Sequence, residues 1–296
     1  MRWTSSQEEV LQGIRQDSRS GAAQLAQRGA KLLLDALKQG KGEEIRALGK
    51  ALVDAQPAMA PIINLVNHLF QAIESLEDPQ EIREKGRAAV QGFLDSLITA
   101  LERIKVHALA LLQGKKVVMT LSYSSTVVGV LVLAQGIEVI CPESRPLCEG
   151  LRTAKELGAK GIRTRLVADL AALSLVKESD LVLVGADAIT PEGAVNKIGT
   201  YGLALAAREG KIPFYVLAGT EKFLPSPFSK TLRIEKKDPT EITCETIPHG
   251  KVENVYFDLT PLDLITGVVT QEGAIAGGEV RKQLEGMRIN KGLQKL

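Results

Sequence analysis

The residues best suited to chemistry lie in one stretch of the sequence, from Asp180 to Glu221. Asp187 comes just after the short apolar run Leu181–Val184, and Asn196 and Lys197 follow after a loop. A carboxylate, an amide and an ammonium placed together can hold the hydroxyls and the phosphate of a sugar and can move a proton. A lone Asp after a strand also commonly caps a helix or shapes a turn, so this alternative stays open for Asp187.

A second polar segment, Ser122–Thr126, follows the apolar run Val117–Met119. Hydroxyl groups in a turn that leads into a helix favour an anion, because unpaired backbone N–H groups and the helix dipole both attract negative charge. The turn therefore predicts a phosphate site that includes Ser122 and Ser124. The alternative is that Ser124 or Ser125 only caps the helix.

A third polar segment, Glu143–Pro146, follows the apolar run that ends at Cys141. Its Arg145 can bind a phosphate, because the planar guanidinium presents parallel N–H groups that match phosphate oxygens. An ordinary surface ion pair of Arg145 with Glu143 or Glu149 is the alternative.

These polar segments need a sheet that brings the ends of several strands together. Apolar runs at 117–120, 138–141, 162–167, 181–184 and 212–217 alternate with helical stretches of about ten residues, which predicts a parallel sheet with right-handed crossovers. Ligands of such sheets bind at the carboxyl ends of the strands. We expect Asn196–Thr200 to open the helix between the last two runs. Beyond them we expect edge strands at 242–247 and 255–257 and helices at 261–268 and 278–286.

The residues from Ser5 to Gln113 show no strand pattern and predict helices. We expect Ser5 or Ser6 to cap the first helix, and further helical stretches at 25–37, 43–55, 61–76 and 78–112. Gly86 and Gly92 weaken the last stretch and favour a break there. The predicted fold class is α/β, with an all-helical N-terminal domain at 1–113 and a Rossmann-like parallel-sheet domain at 114–296.

The composition is that of a globular protein, with 45% hydrophobic and 24% charged residues in 296. Because the net charge is +2 and only 4% of residues are aromatic, we expect no direct nucleic-acid binding. The three cysteines form no C-x-x-C pair and the three histidines are scattered, which argues against a disulfide framework and a metal centre. The sequence shows neither a signal peptide nor a membrane-spanning run, so we expect a cytoplasmic protein without membrane contact.

Three separated motifs resemble one protein family. They are GAD at 185–187 with NKIGTY at 196–201, ESRP at 143–146, and DLTP at 258–261. Their order and spacing are similar to those of the superfamily of sugar-phosphate isomerases that act on methylthioribose 1-phosphate and ribose 1,5-bisphosphate. The same superfamily contains the alpha, beta and delta subunits of eukaryotic translation initiation factor 2B. The resemblance extends from about residue 114 to about residue 275.

The resemblance implies roles for several of the residues above. In the isomerases the Asp that matches Asp187 is catalytic, and the Asn-Lys pair that matches Asn196 and Lys197 contacts the substrate, with no metal or other cofactor. Arg152 follows the pattern of the relatives and is a further candidate. Lys222 matches a lysine of the initiation-factor branch, with an ordinary solvated lysine as the alternative.

The resemblance also implies a substrate-binding turn in the helical half. An Arg-Gly-Ala turn of the isomerases is similar to four consecutive residues of this chain: Arg19, Ser20, Gly21 and Ala22. Here Ser20 occupies the Arg position and Arg19 is displaced by one. The alternative is the start of a helix with Ser20 as its cap.

One position departs from the isomerase pattern. The isomerases carry a Cys after the first strand that works with the Asp in proton transfer, and this chain has Ser122 there. A serine hydroxyl is a poor substitute near neutral pH unless a base activates it. Cys141, at the end of the neighbouring strand, is a candidate replacement thiol, although buried free cysteines are common.

The sequence therefore predicts a phosphosugar-binding protein whose ligand is a ribose phosphate or a near relative. If the protein is catalytic, the reaction is an aldose-ketose isomerisation with Asp187 as acid and base and Ser122 at the Cys position. The alternative is a non-catalytic regulatory subunit that acts through contacts with a protein partner. We expect a homodimer, because Thr260–Gly273 is apolar and the relatives pair around a twofold axis.

Overall fold

The computed structural model describes residues 3–17, 20–57, 59–226, 228–231, 234 and 236–293. Within its first 113 residues the described part is helical, as predicted, with α1 Ser5–Arg15, α2 Ala22–Ala36, α3 Gly42–Ala55, α4 Ala60–Ala72 and α5 Pro79–Leu112. The cap of α1 is Thr4 rather than Ser5 or Ser6, because the Thr4 side chain accepts the N–H of Gln7 in a capping box. Gly21, not Ser20, is the cap of α2.

Helix α5 runs for 34 residues without a break, contrary to the expectation at Gly86 and Gly92. A Cβ at Gly86 would lie 2.7 Å from Leu37 Cδ2 and 3.0 Å from Leu69 Cδ1, so the glycine lets α5 approach α2 and α4 closely. The first half of α5 packs on these helices and its second half packs on the sheet. No helix in the described ranges, α5 included, combines the length and the hydropathy that crossing a bilayer requires.

The rest of the described chain contains short strands and helices. The strands are β1 Val117–Met119, β2 Glu138–Pro142, β3 Arg163–Val167, β4 Leu181–Gly185, β5 Ala188–Ile189, β6 Ala194–Lys197, β7 Phe214–Leu217, β8 Lys236–Lys237, β9 Asn254–Val255, β10 Phe257–Thr260, β11 Gly267–Thr270 and β12 Gly273–Ile275. The helices are α6 Ser125–Leu131, α7 Glu149–Ala159, α8 Asp169–Leu175, α9 Thr200–Glu209, α10 Phe228–Thr231 and α11 Gly277–Glu285. The five predicted strands of the main sheet are all present, as β1, β2, β3, β4 and β7.

Seven strands form one sheet in the order β12-β11-β7-β4-β1-β2-β3. All neighbouring pairs are parallel except β11 and β12, which form a hairpin. From β1 the chain moves outward through β2 and β3, and it then returns to β4 and moves outward on the other side. The order of the strands therefore switches between β1 and β4, and a crevice forms at the carboxyl ends of two strands related in this way.

The strands bury alternate residues on the two faces of the sheet. Met119 and Val182 face α8 and α9, whereas Val118 and Leu183 face α5, α6 and α7. Burial on both faces explains why the runs are apolar at every position rather than at every second one. The hydrophobic core of the N-terminal helices continues past residue 113, because it includes Val195 and Leu224. The division of the chain at residue 113 stays a prediction.

A separate antiparallel sheet, in the order β10-β6-β5, carries Asn196 and Lys197. The expectation that Asn196 opens a helix is therefore wrong, because β6 continues through Lys197 and α9 begins at Thr200. Asn196 pairs with Asp258 of β10, and Val195 pairs with Ala188 of β5. Asp258 lies far along the chain, and strands of two and four residues are too short to show their period in the sequence.

The C-terminal part differs most from the expectation. The predicted helix at 261–268 is a 3-10 turn at Leu262–Leu264 followed by β11, and the predicted strand at 242–247 is a largely exposed series of turns. The predicted strand at 255–257 is divided between β9 and β10, and α11 confirms the last helix. Because β11 is buried between β7 and β12, the chain's own sheet accounts for the apolar composition of Thr260–Gly273. That composition no longer supports the homodimer, which stays a prediction.

Candidate active site

A pocket opens at the carboxyl ends of β1 and β4, where the strand order switches, and the N-terminal helices form its opposite wall. Open parallel sheets bind their ligands at this position. The pocket is lined by Asp17, Ser20, Gly21, Ala22, Ala23, Gln56, Pro57, Met59, Ser122, Tyr123, Ser124, Ser125, Thr126, Glu149, Arg152, Gly185, Ala186, Asp187, Asn196, Lys197, Lys222, Lys237, Tyr256 and Phe257.

The structure brings most of the predicted site residues into this one pocket. Eight of the ten line it, namely Ser20, Gly21, Ala22, Ser122, Ser124, Asp187, Asn196 and Lys197. Arg19 lies outside the described residues. The remaining residue, Arg145, does not line the pocket. The role of each residue toward a ligand stays a prediction.

Arg145 is exposed and contacts a neighbouring loop instead. Its backbone N–H donates to Asp169 Oδ2 at 2.8 Å, and its guanidinium donates to the carbonyl of Ile242 at 3.1 Å. The alternative, an ion pair with Glu143 or Glu149, is also absent within 4.0 Å in the described chain, and Glu149 pairs with Lys197 instead. The arginine of the pocket wall is Arg152, whose guanidinium carbon lies 3.6 Å from the centre of the Tyr123 ring.

The turn after β1 holds Ser122 in the left-handed region, with φ of 63°. Its N–H donates to Ser144 Oγ at 2.8 Å, and its carbonyl accepts a bond from Thr153 Oγ1 at 2.7 Å. These bonds offset the cost of a conformation that non-glycine residues rarely adopt. They fix the backbone of Ser122 at the pocket wall.

Ser124 is the cap of α6, since its side-chain oxygen accepts the N–H of Val127 at 3.4 Å. The capping alternative is therefore present in the structure, and the residue still lines the pocket. Gly185, the last residue of β4, lies directly against it. A Cβ at Gly185 would come within 2.6 Å of Ser124 Oγ, so the close approach of the two strand ends requires glycine here.

Asp187 follows β4 directly, and its N–H donates to the carbonyl of Val195 at 2.8 Å. Burial is the main cause that raises the pKa of the Asp187 carboxyl, and the Glu149 carboxylate raises it further. The ammonium groups of Lys222 and Lys197 lower this pKa, but they do not cancel the effect of burial. A carboxyl group with a raised pKa in a pocket is suited to accept and return a proton. The prediction for Asp187 thus gains a physical basis beyond its place in the sequence.

Lys197 is 3% exposed, although it lines the pocket. Its Nζ donates to Glu149 Oε1 at 2.7 Å and lies 5.1 Å from the centre of the Tyr256 ring. Asn196 is 8% exposed, and its Nδ2 donates to Thr200 Oγ1 at 3.0 Å. Both side chains are therefore held in place by side chains from other elements.

Asp258 supports this segment from β10. Its carboxylate accepts the N–H groups of Gly199 at 2.8 Å and of Tyr201 at 3.1 Å, at the start of α9. Burial nevertheless raises the pKa of Asp258 to about 6, because these two bonds only partly compensate for the lost hydration. Asp258 holds the turn that follows Asn196 and Lys197.

Lys222 lies at the end of a 3-10 turn after β7 and is 7% exposed. It is therefore not an ordinary solvated lysine. Lys222 lines the pocket, and its charge lowers the pKa of Asp187 and of Glu221, both of which burial raises. An ammonium in this setting is a candidate partner for an anionic ligand.

Cys141 does not reach the pocket. It is fully buried in the core on the α5–α7 side of the sheet, and burial raises the pKa of its thiol to about 12. A thiol that stays protonated in an apolar core cannot replace a reactive one at the pocket. The described residues also contain no group of three His, Cys, Asp or Glu side chains arranged to hold a metal ion.

The pocket also contains residues that the sequence did not assign to the site, among them Glu149, Lys237 and Tyr256. Glu149 was considered only as an ion-pair partner of Arg145. Its place in the first turn of α7, after the ESRP motif that follows β2, was a usable signal, because polar residues after the other parallel strands also indicated the site. Lys237 belongs to the two-residue strand β8, which the sequence does not reveal. Tyr256 lies between β9 and β10, within the strand predicted at 255–257, but nothing in that pattern marks it as a pocket residue.

Comparison with known proteins identifies the family. A model of the initiation factor 2 subunit family matches residues 18–277. The chain belongs to this family. It is 35% identical to a ribose 1,5-bisphosphate isomerase of Archaeoglobus fulgidus over 283 residues, with 90% of each chain covered. It is 32% identical to a putative translation initiation factor eIF-2B subunit 2-like protein of Pyrococcus horikoshii, covering 90% of this chain and 95% of that one.

Solved structures of the family share the fold. The translation initiation factor eIF-2B of Pyrococcus horikoshii superposes with a TM-score of 0.80 at 29% identity, covering 93% of this chain and 98% of the other. The 5-methylthioribose 1-phosphate isomerase of the same organism superposes with a TM-score of 0.74 at 25% identity, covering 94% and 87%. Within the family, this chain is thus similar both to sugar-phosphate isomerases and to initiation-factor proteins.

Proposed function

We propose that this family member binds a phosphorylated sugar, a ribose phosphate or a near relative, in the pocket between β1 and β4. The observation that carries the proposal is the meeting of Asp187, Asn196 and two largely buried lysines, Lys197 and Lys222, in a single pocket. A carboxyl, an amide and ammonium groups bind hydroxyls and phosphate together. The strand order is that of Rossmann-like domains, which supports placing the ligand at the switch point.

The phosphate has suitable partners in this pocket. Neither Arg152 nor Lys222 takes part in an ion pair within 4.0 Å in the described part of the chain, so both charges are available to a ligand. Helix α2 begins at the wall with Gly21 as its cap and without a side-chain cap, which leaves first-turn N–H groups for an anion. The names of the relatives, ribose 1,5-bisphosphate isomerase among them, support a ribose phosphate as ligand.

Isomerisation is the chemistry that Asp187 would serve. Moving hydrogen between neighbouring sugar carbons needs a group that takes a proton and returns it, and a carboxyl with a raised pKa can do so. Ser122 occupies the second catalytic position. Because its hydroxyl changes protonation far from neutral pH, we expect turnover by the native chain to be slow.

A second function is favoured by the same serine. A protein that binds the sugar phosphate without converting it would need Asn196, Lys197 and Lys222 but no thiol. The buried position of Cys141 removes the replacement thiol that the sequence suggested and thereby supports this second function. Such a protein would act as a regulatory subunit, and its partner would be another protein of the initiation-factor type.

The proposal is tested by calorimetric and thermal titration with ribose 5-phosphate and ribose 1,5-bisphosphate. A ligand at about one hundred times its dissociation constant is expected to stabilise the fold by about 2.7 kcal/mol. Lys222→Met is expected to weaken binding about tenfold or more, because it removes one charged partner of the phosphate. Lys236→Met, at an exposed lysine near the pocket, is the control and should bind as the native chain does.

Two results would refute sugar-phosphate binding in this pocket. One is the absence of binding by both ribose phosphates at millimolar concentration. The other is binding that Lys222→Met and Arg152→Met leave unchanged, which would place the ligand elsewhere. A ribose phosphate that binds but is not converted would favour the regulatory subunit over the isomerase.

A further inference from the structure

The ion pair between Lys197 and Glu149 forms part of the pocket wall. Glu149 is the first residue of α7, and its Oε1 accepts a bond from Lys197 Nζ at 2.7 Å. The Lys197 side chain is only 4% exposed and that of Glu149 is 25% exposed. The second carboxylate oxygen, Glu149 Oε2, is buried without a hydrogen-bond partner in the described structure.

A buried carboxylate oxygen without a hydrogen-bond donor lowers the stability of the folded protein. A buried acceptor that has lost its hydration recovers that cost only when a donor reaches it. Tyr256 does not supply the donor, because its hydroxyl donates to Glu241. The Asn196 amide does not supply it either, because it donates to Thr200. A small shift on ligand binding would let a hydroxyl of the ligand donate to Oε2.

A phosphate is unsuited to the same place. Ionised phosphate oxygens only accept hydrogen bonds, and their negative charge would meet the Glu149 carboxylate. The ammonium of Lys197 is already neutralised by Glu149, whereas Arg152 and Lys222 remain outside any ion pair in the described chain. The charged side chains of the pocket thus include a neutral pair, Lys197 with Glu149, and two cations, Arg152 and Lys222, that have no carboxylate oxygen within 4.0 Å in the described chain.

We propose that Glu149 determines specificity: it makes the surroundings of Lys197 a subsite for a sugar hydroxyl and excludes a phosphate from this subsite. This inference rests on the proposed function and adds the ligand class, namely a sugar monophosphate in preference to a bisphosphate. The hydroxyl donates to Glu149 Oε2 and accepts from one of the remaining N–H groups of Lys197. The single phosphate binds to Arg152 and Lys222, which form no ion pair within 4.0 Å in the described chain.

The test compares dissociation constants for ribose 5-phosphate and ribose 1,5-bisphosphate by calorimetry. The native chain is expected to bind the monophosphate more tightly. Glu149→Gln removes the negative charge at similar size, and we expect it to shift the ratio of the two constants toward the bisphosphate by about tenfold or more. Glu149→Asp keeps the charge and should keep the preference. Glu209→Gln, at an exposed carboxylate on α9, is the matched control and should keep the native ratio.

Each outcome bears on the inference separately from the proposed function. If both ligands bind and Glu149→Gln leaves their ratio unchanged, the inference is wrong and sugar-phosphate binding stands. If the native chain prefers the bisphosphate, the inference is wrong even should Glu149→Gln fail to fold. If the native chain binds neither ligand, the proposed function itself fails.

Discussion

The ion pair of Lys197 and Glu149 predicts a coupling that stability measurements can detect. Lys197→Met leaves the Glu149 carboxylate without the ion-pair partner that it has in the described structure, in a partly dehydrated pocket. Removing one member of a fully buried pair costs about 3–5 kcal/mol, whereas exposed pairs contribute about 0–1 kcal/mol. Because the Lys197 side chain is 4% exposed and that of Glu149 is 25% exposed, we expect an intermediate loss of about 2 kcal/mol.

The double variant Lys197→Met, Glu149→Gln separates pairing from packing. The double variant leaves no isolated charge. We therefore expect its loss of unfolding free energy to be about 2 kcal/mol smaller than the sum of the losses of the two single variants. The assay is urea unfolding at pH 7, with each free energy taken from the midpoint at a constant slope. The same cycle on the exposed pair of Lys236 and Glu253 is the control and should show no measurable coupling. Additive losses at Lys197 and Glu149 would refute the energetic role given to this pair.

Three further predictions concern the turn after β1, the support of β6 and the contact between the strand ends. Ser122→Cys is expected to create or raise isomerisation of ribose 1,5-bisphosphate, and the gain should be larger at pH 8.5 than at pH 7 because a thiol ionises near pH 8.5. Adding Asp187→Asn should erase this gain. A Ser122→Cys variant that still binds the ligand but shows no gain in activity would contradict the prediction. The pKa of Asp258 is raised from 3.8 to about 6, so the folded state binds its proton more tightly than the unfolded state. Stability from this group is therefore highest below pH 3.8 and falls by up to about 3 kcal/mol as pH rises through 6, a slope that urea unfolding should show in the native chain but not in Asp258→Asn. Gly185→Ala would place a Cβ 2.6 Å from Ser124 Oγ and should abolish ligand-induced thermal stabilisation. The control Gly92→Ala, which has open space around its Cβ, should leave that stabilisation intact. Equal stabilisation of the two variants by the ligand would show that the close contact is unimportant.

The sequence by itself determined five of the seven strands of the main sheet, and it showed the polar residues at the ends of several of them. Leu181–Gly185 is buried at every position. Because both faces of such a strand are buried, its residues form a continuous apolar run that can be recognised from the local sequence alone. The position of Asp187 just after that strand was also predicted correctly, because it follows the end of the apolar run closely in the sequence. The motifs also sufficed to identify the family, because their order along the chain is a property of the sequence alone.

Only the tertiary structure decided which of these residues meet. Glu149 and Lys197 are 48 positions apart, and nothing in the spacing of their segments showed that α7 and β6 face each other. Arg145 has a side chain well suited to phosphate, yet the turn around it directs the guanidinium to Ile242. Residues 267 and 268, the start of β11, were assigned to a helix, because the neighbouring strand β7 is distant in sequence and β12 cannot be recognised from it. Pairing across strands and between charges depends on long-range contacts, and local composition carries no record of them.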